Sequence, residues 1–159
     1  QYDPEEVHYK AMRWLTKAYN LGFGKRYLES NFCLNHPSLE RNIFGLHFKN
    51  PVGLAAGFDK DALFIDELAC LGFGFIEIGT VTPKPQDGNE KPRLFRFPDD
   101  AAIINRMGFN NLGVEAAAQR LKNRKTNIII GGNIGKNKIN ERIIKIIKKV
   151  KNRVIIAKK

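Results

Sequence analysis

Three short stretches hold most of the residue types that do chemistry. "AAGFDK" (residues 55–60) sets Ala56 and Gly57 ahead of Lys60, "IGTVTP" (78–83) offers Thr80, and "GGNIGKNK" (131–138) offers Asn133 and Lys136. Small residues let a flat ligand approach the backbone. Lysine, threonine and asparagine bring a cation, a hydroxyl and an amide to its edge. The set suits a phosphorylated, planar, polar-edged cofactor; the plain alternative is that the glycines only close tight turns. A fourth stretch, "INRMGFNN" (104–111), places the amides of Asn105, Asn110 and Asn111 and the cation of Arg106 around Gly108, with apolar Met107 and Phe109 between them. That mixture makes a poor strand and a poor helix core, and it reads as a loop rich in amides.

Two common phosphate motifs fail on inspection. "GFGFIEIG" begins as G-x-G but has Glu77 where the dinucleotide fingerprint needs its third glycine. "GGNIGKNK" has Gly-Lys, yet Ile130 stands where a P-loop needs its first glycine, and Asn137 replaces the Ser or Thr. His8, His36 and His47 have no metal-ligand spacing with Cys or carboxylates, so no metal site is expected.

The elements that must position these stretches follow from periodicity. "PEEVHYKAMRWLTKAY" (4–19) reads as an amphipathic helix with Val7, Ala11, Trp14, Leu15 and Ala18 on its apolar stripe. A loop with Gly22 and Gly24 follows, then a polar linker. "IFGLHF" (43–48) reads as a short strand, "PVGLAAG" (51–57) as a buried strand, "DALFIDELACLG" (61–72) as a helix and "FIEIGTVT" (75–82) as a second buried strand. A Pro-rich excursion with a hairpin arm (83–100) precedes a helix over 111–123 and a third strand over 127–135. "INERIIKIIKKVKN" (139–152) reads as a basic amphipathic helix and "VIIA" (154–157) as a final strand. Apolar strands alternating with helices predict a parallel sheet covered by helices. Either an open doubly wound sheet or a (β/α) barrel satisfies that order, with the site at the carboxyl ends of the strands in both.

A chain of 159 residues with 43% hydrophobic residues suits one domain. Its net charge of +11 is unevenly spread. Residues 1–119 hold 13 basic and 15 acidic side chains, whereas residues 120–159 hold 14 basic and one acidic, Glu141. A specific nucleic-acid binder is not expected from a charge confined to the tail. No apolar run reaches the roughly 20 residues that span a bilayer. Cys33 and Cys70, far apart in sequence, read as free thiols.

Taken together, "NPVGLAAGFDKDA", "GFGFIEIGTVTPKPQDGNEKPRLFRFPDDAAIINRMGFNNLG" and "GGNIGKNK" resemble the dihydroorotate dehydrogenases. "DPEEVHYKAMRWL" resembles the amino-terminal helix of their quinone-dependent class 2. The resemblance covers residues 2 to 138. It implies a (β/α)8 barrel, of which this chain covers about the first half, preceded by an amphipathic helix. It also implies FMN as cofactor, dihydroorotate and orotate as substrate and product, and ubiquinone or menaquinone as electron acceptor. By the same resemblance Ala56, Gly57, Lys60, Thr80 and Asn133 contact the flavin. Lys60 and Asn105, Arg106, Met107, Gly108 and Phe109 bind the substrate, and His8, Ala11 and Arg96 line a quinone tunnel. No proton-abstracting residue is identified in the matched region. The implied location is peripheral, on the cytoplasmic face of a bacterial inner membrane through the first helix.

Three segments result: residues 1–40 as a quinone- and membrane-associated segment, 41–138 as the first part of the barrel, and 139–159 as a divergent basic tail. The pattern's failure after Lys138 predicts a frameshift or truncation, and a chain inactive on its own. The competing expectation is a non-catalytic barrel fragment whose basic tail binds membrane or nucleic acid.

Overall fold

The computed structural model describes residues 2–137 and the backbone of 154–158. The basic helix expected over 139–152, and with it any membrane- or nucleic-acid-binding role of the tail, lies outside the described residues.

Helix α1 spans Pro4–Asn20, its amino end capped by Asp3, whose carboxylate accepts the Glu6 N–H at 2.9 Å. Glu5 and Met12 are its buried residues, with Leu15 packed beside them, while Ala11 is exposed and Trp14 is 70% exposed. The buried stripe is therefore rotated from the one expected. Polar anchors set the rotation: Glu5 grips Arg93, and the Thr16 hydroxyl donates to Glu67 at 2.9 Å. Hydrophobic spacing alone is blind to such bonds.

A second helix, α2 (Gly24–Phe32), occupies the region read as loop and linker. Gly24 is there for contact: a Cβ on it would lie 1.7 Å from the Ala18 carbonyl oxygen of α1. "IFGLHF" is likewise two strands, β1 (Arg41–Ile43) and β2 (Leu46–Phe48), forming an antiparallel hairpin. Phe44 and Gly45 turn it with φ of 55° and 71°, the positive pair that a two-residue hairpin turn requires.

The parallel sheet is built from β3 (Gly53–Leu54), β4 (Phe75–Val81), β7 (Ile129–Ile134) and β8 (Val154–Lys158), side by side in that order. Between them come α3 (Ile65–Ala69), the antiparallel arm β5 (Leu94–Phe97) and β6 (Ala102–Asn105), and α4 (Val114–Asn123). Strand β8 falls where "VIIA" was expected. β3 and α3 are shorter than expected, because residues 55–64 leave regular structure to build the loop above the sheet. The described strands form an open sheet and do not close on themselves.

One face of the sheet carries the core. Ile76, Ile78, Ile130 and Ile134 pack against Ala62, against Ile65 and Leu68 of α3, and against Val114, Ala117 and Leu121 of α4. Strand alternation turns Phe75, Glu77, Gly131 and Asn133 to the other face. Its amino end is stopped by aromatic packing: Phe48 meets Phe75 edge-on at 5.7 Å. Gly53 makes room for that ring, since a Cβ there would fall 2.1 Å from it. Polar groups are thereby left to the carboxyl end.

Candidate functional site

Beyond β3 the chain curls back over the strand ends and is laced to β4 by backbone bonds. The Gly57 N–H donates to the Gly79 carbonyl at 2.8 Å, and the Gly79 N–H to the Lys60 carbonyl at 3.0 Å. Asp59, buried beneath, accepts the N–H groups of Leu63 and Phe64, each at 2.8 Å, and so holds the turn that leads into α3. Burial pushes its carboxyl above the usual range despite those bonds. This lacing presents Gly57 (φ 103°) with open space above it, so that a Cβ there would project into that space.

Over the same ends lies a cleft of about 280 Å³ between α1, the 57–64 loop and the arm. Six residues singled out from sequence line it: His8, Gly57, Lys60, Arg96, Asn105 and Met107. They come from four separate parts of the chain. His8 is further fixed by an edge-on ring contact with Phe58 at 4.8 Å. Lys60 donates to the Asn110 amide oxygen at 2.7 Å. Burial, and then the charge of Arg93, hold its pKa below the ordinary lysine value. Its hydrogen-bond partner is thus neutral, which leaves its positive charge for an anion.

The octapeptide is braced from both sides. Asn105 accepts the Met107 N–H at 3.0 Å; the Arg106 N–H donates to the Arg93 carbonyl at 2.8 Å, and its carbonyl accepts from Asn89 at 2.6 Å. Gly108 has φ of 74°, and a Cβ there would sit 2.9 Å from the Asn89 backbone nitrogen. Phe109 follows with φ of 55° and half of its surface exposed. Asn111 is buried and ties the loop to β4: its side-chain oxygen accepts the N–H of Thr82 and of Gly113, and its NH2 donates to Thr82 Oγ1 and the Phe109 carbonyl. Asn137, also buried, holds Lys84 and Gln86 in the same manner.

Thr80 and Asn133, near the carboxyl ends of β4 and β7, are not among the residues that line the cleft; they are joined to each other, the hydroxyl donating to the amide oxygen at 2.7 Å. Ala56 is half-buried in the loop just before Gly57. Arg106 and Ala11 are exposed and line no part of the cleft. The anchor of α1 is not apparent from the sequence. Glu5 accepts two bonds from Arg93, at 2.7 and 3.1 Å, with both side chains buried and Lys91 3.5 Å away. The Arg93 bond holds the Glu5 carboxyl below the usual range and raises Arg93 in turn. Nothing in the spacing of residues 5 and 93 announces the pair. Asn110 and Asn111 could have been found, since both lie inside the amide-rich octapeptide. Among the described residues no group of His, Cys, Asp and Glu could hold a metal ion.

The family described as Dihydroorotate dehydrogenase matches residues 38–157. The chain belongs to that family. A relative from Christiangramia forsetii, named Dihydroorotate dehydrogenase (quinone), is 62% identical over 138 residues, which are 87% of this chain and 40% of the relative. One of the same name from Psychrobacter sp. is 54% identical over 137 residues, 86% of this chain and 38% of its own. Among solved structures, DHODH from Eimeria tenella in complex with ferulenol superposes with a TM-score of 0.74 at 41% identity, covering 92% of this chain and 39% of that one. The ligand-free form from the same organism gives 0.71 at 42% identity, covering 88% and 39%. The chain thus spans about two-fifths of the length of the relatives it matches. The family match runs past Lys138, through the segment that holds β8.

Proposed function

We propose that these residues form the flavin-facing part of a quinone-dependent dihydroorotate dehydrogenase with a (β/α)8 barrel. The reaction would be the oxidation of dihydroorotate to orotate, with FMN as cofactor and ubiquinone or menaquinone as final electron acceptor. The observation that carries the reading is the single cleft that joins His8 and Arg96 to Gly57, Lys60, Asn105 and Met107. The residues fit a flavin on their own chemistry. Gly57 leaves open space above it, and the Gly79 carbonyl that accepts its N–H immediately precedes Thr80, whose hydroxyl is joined to the Asn133 amide. Bound there, FMN would supply the two-electron acceptor for hydride transfer.

The chain's own groups divide the remaining work. Lys60, a cation with an amide partner, offsets negative charge on the orotate carboxylate or on the electron-rich ring beside it. Asn105, its oxygen fixed by Met107, offers its NH2 to a pyrimidine carbonyl. Gly108 allows backbone to approach the substrate, and the braces on Arg106, Met107 and Phe109 hold that backbone in place. Ala56, half-buried next to Gly57, contacts the flavin from the same loop. On the other side His8 and Arg96 admit the quinone between α1 and the arm, and Ala11 sits one turn along the helix from His8. No residue described here is assigned as the proton acceptor, and we propose that the chain alone turns over little dihydroorotate.

Peripheral membrane attachment through the first helices, on the cytoplasmic face of a bacterial inner membrane, agrees with their surface. Trp14, Phe23 and Tyr27 are 70, 69 and 61% exposed among Lys10, Arg13, Lys17, Lys25 and Arg26. Among the described residues no helix is long and apolar enough to cross a membrane.

Flavin retention tests the reading. Purified chain mixed with FMN and desalted is expected to stay yellow with its flavin fluorescence quenched, and Gly57→Leu to release the flavin. A colourless wild-type chain would overturn the flavin site. If that colourless protein bound lipid vesicles or DNA, the non-catalytic alternative would take its place.

A further inference from the structure

Glu77 stands on the polar face of β4, two residues above Phe75, and neither the cleft nor the substrate loop includes it. Its carboxylate accepts from Asn133 Nδ2 at 3.2 Å, while Asn133 Oδ1 accepts from the Thr80 hydroxyl at 2.7 Å. All three side chains are half-buried. Across the sheet Glu77 is in register with Gly131, where a Cβ would lie only 3.3 Å from Glu77 Cγ. Glycine at 131 therefore leaves the carboxylate its place.

The direction of this chain of bonds follows from donor and acceptor chemistry. A carboxylate has only lone pairs to offer, so the Asn133 amide must turn its NH2 to Glu77. Its oxygen then faces Thr80, and the threonine spends its one proton on that oxygen. What Thr80 has left is a lone pair. We infer that Glu77 is a positioning residue: by orienting Asn133 it makes Thr80 an acceptor, matched to an N–H on the ring edge of the bound cofactor. This inference rests on the flavin site proposed above, and it deepens that site by specifying a ligand donor, of which the imide N–H of an isoalloxazine is an example.

The test compares Glu77→Gln with Glu77→Leu. Glutamine keeps a carbonyl oxygen to accept from Asn133, whereas leucine keeps the volume and removes the acceptor. By flavin fluorescence quenching, Glu77→Leu is expected to weaken FMN binding about tenfold and Glu77→Gln less than threefold. FMN methylated at the imide nitrogen should bind wild type about tenfold more weakly than FMN does, and should lose little more in Glu77→Leu. Equal binding of FMN to wild type and Glu77→Leu, or equal binding of FMN and its methylated form to wild type, would overturn the inference. A readout without flavin separates this from the flavin site itself. In 15N spectra of the free chain, the Asn133 side-chain NH2 resonances should shift strongly in Glu77→Leu and less in Glu77→Gln. If the Asn133 resonances are the same in all three proteins, Glu77 orients nothing, whatever the chain does with FMN.

Discussion

Replacing Glu5 by alanine removes the clasp that fastens α1 over the cleft. Arg93 would stay buried and lose two charge-assisted bonds, at 2.7 and 3.1 Å, while keeping the carbonyls of Asp87 and Asn89 at 2.7 and 2.9 Å. Removing one partner of a buried ion pair costs about 3–5 kcal/mol. The two retained carbonyls place this case at the lower end, about 3 kcal/mol, or roughly a hundredfold in the population of the opened helix. Hydrogen exchange of the α1 amides should accelerate by about that factor. A double-mutant cycle with Arg93→Met isolates the pair, and a coupling of about 2 kcal/mol is expected. Acidity gives a second reading. Because the folded Glu5 pKa lies below its ordinary value, the pair's contribution is complete above the ordinary carboxylate range and is lost as pH falls through the lowered folded value. Additive effects, with a coupling under about 0.5 kcal/mol, or acid-insensitive exchange in α1, would mean that the pair does not hold the helix.

Asn111→Ala strands the buried N–H groups of Thr82 and Gly113, at about 1–3 kcal/mol each, so thermal melting should fall by roughly 5–15 °C. Asn111→Asp, which keeps the acceptor, should lose less. Since the Lys60 pKa lies below the ordinary lysine value of 10.5, its charge is lost at a lower pH than usual. Under the proposed function, calorimetry should find orotate binding declining as pH rises through that lowered value, and Lys60→Met should remove the decline. Burial pushes the Cys70 thiol up to about 11 and leaves it 2% exposed. Mass mapping after iodoacetamide at pH 8 should find Cys33 labelled first and Cys70 only on unfolding; the reverse order would contradict the packing.

The sheet was legible because its strands are apolar throughout and separated by glycine-punctuated helices, a pattern that local sequence states directly. The carboxyl-end stretches were legible because parallel strands send their chemistry to one end. What stayed hidden depended on partners far along the chain. Met12 replaced Trp14 in the buried stripe because Glu5 and Thr16 bind Arg93 and Glu67, at separations of 88 and 51 residues. Helix α2 was hidden by Gly24, which reads as a breaker yet marks a close helix crossing. The hairpin inside "IFGLHF" was hidden because Phe44, a poor turn former, takes the positive φ beside Gly45. Cys33 and Cys70 lie 37 residues apart, yet the Cys33 thiol donates to the Cys70 carbonyl at 3.6 Å. The amide of Asn110 was visible in the octapeptide, but its role was not, because that role depends on Lys60 arriving from another loop.

The strands β3, β4, β7 and β8 stand in the sheet in the order in which they are synthesised. Among the described strands, each one after β3 is synthesised later than the neighbour it first pairs with, and none has to be inserted between two neighbours that have paired. The arm of β5 and β6 pairs only with itself and can form while the sheet waits for β7. Assembly can therefore keep pace with translation, one seam at a time, and the cleft acquires its floor before its later walls exist.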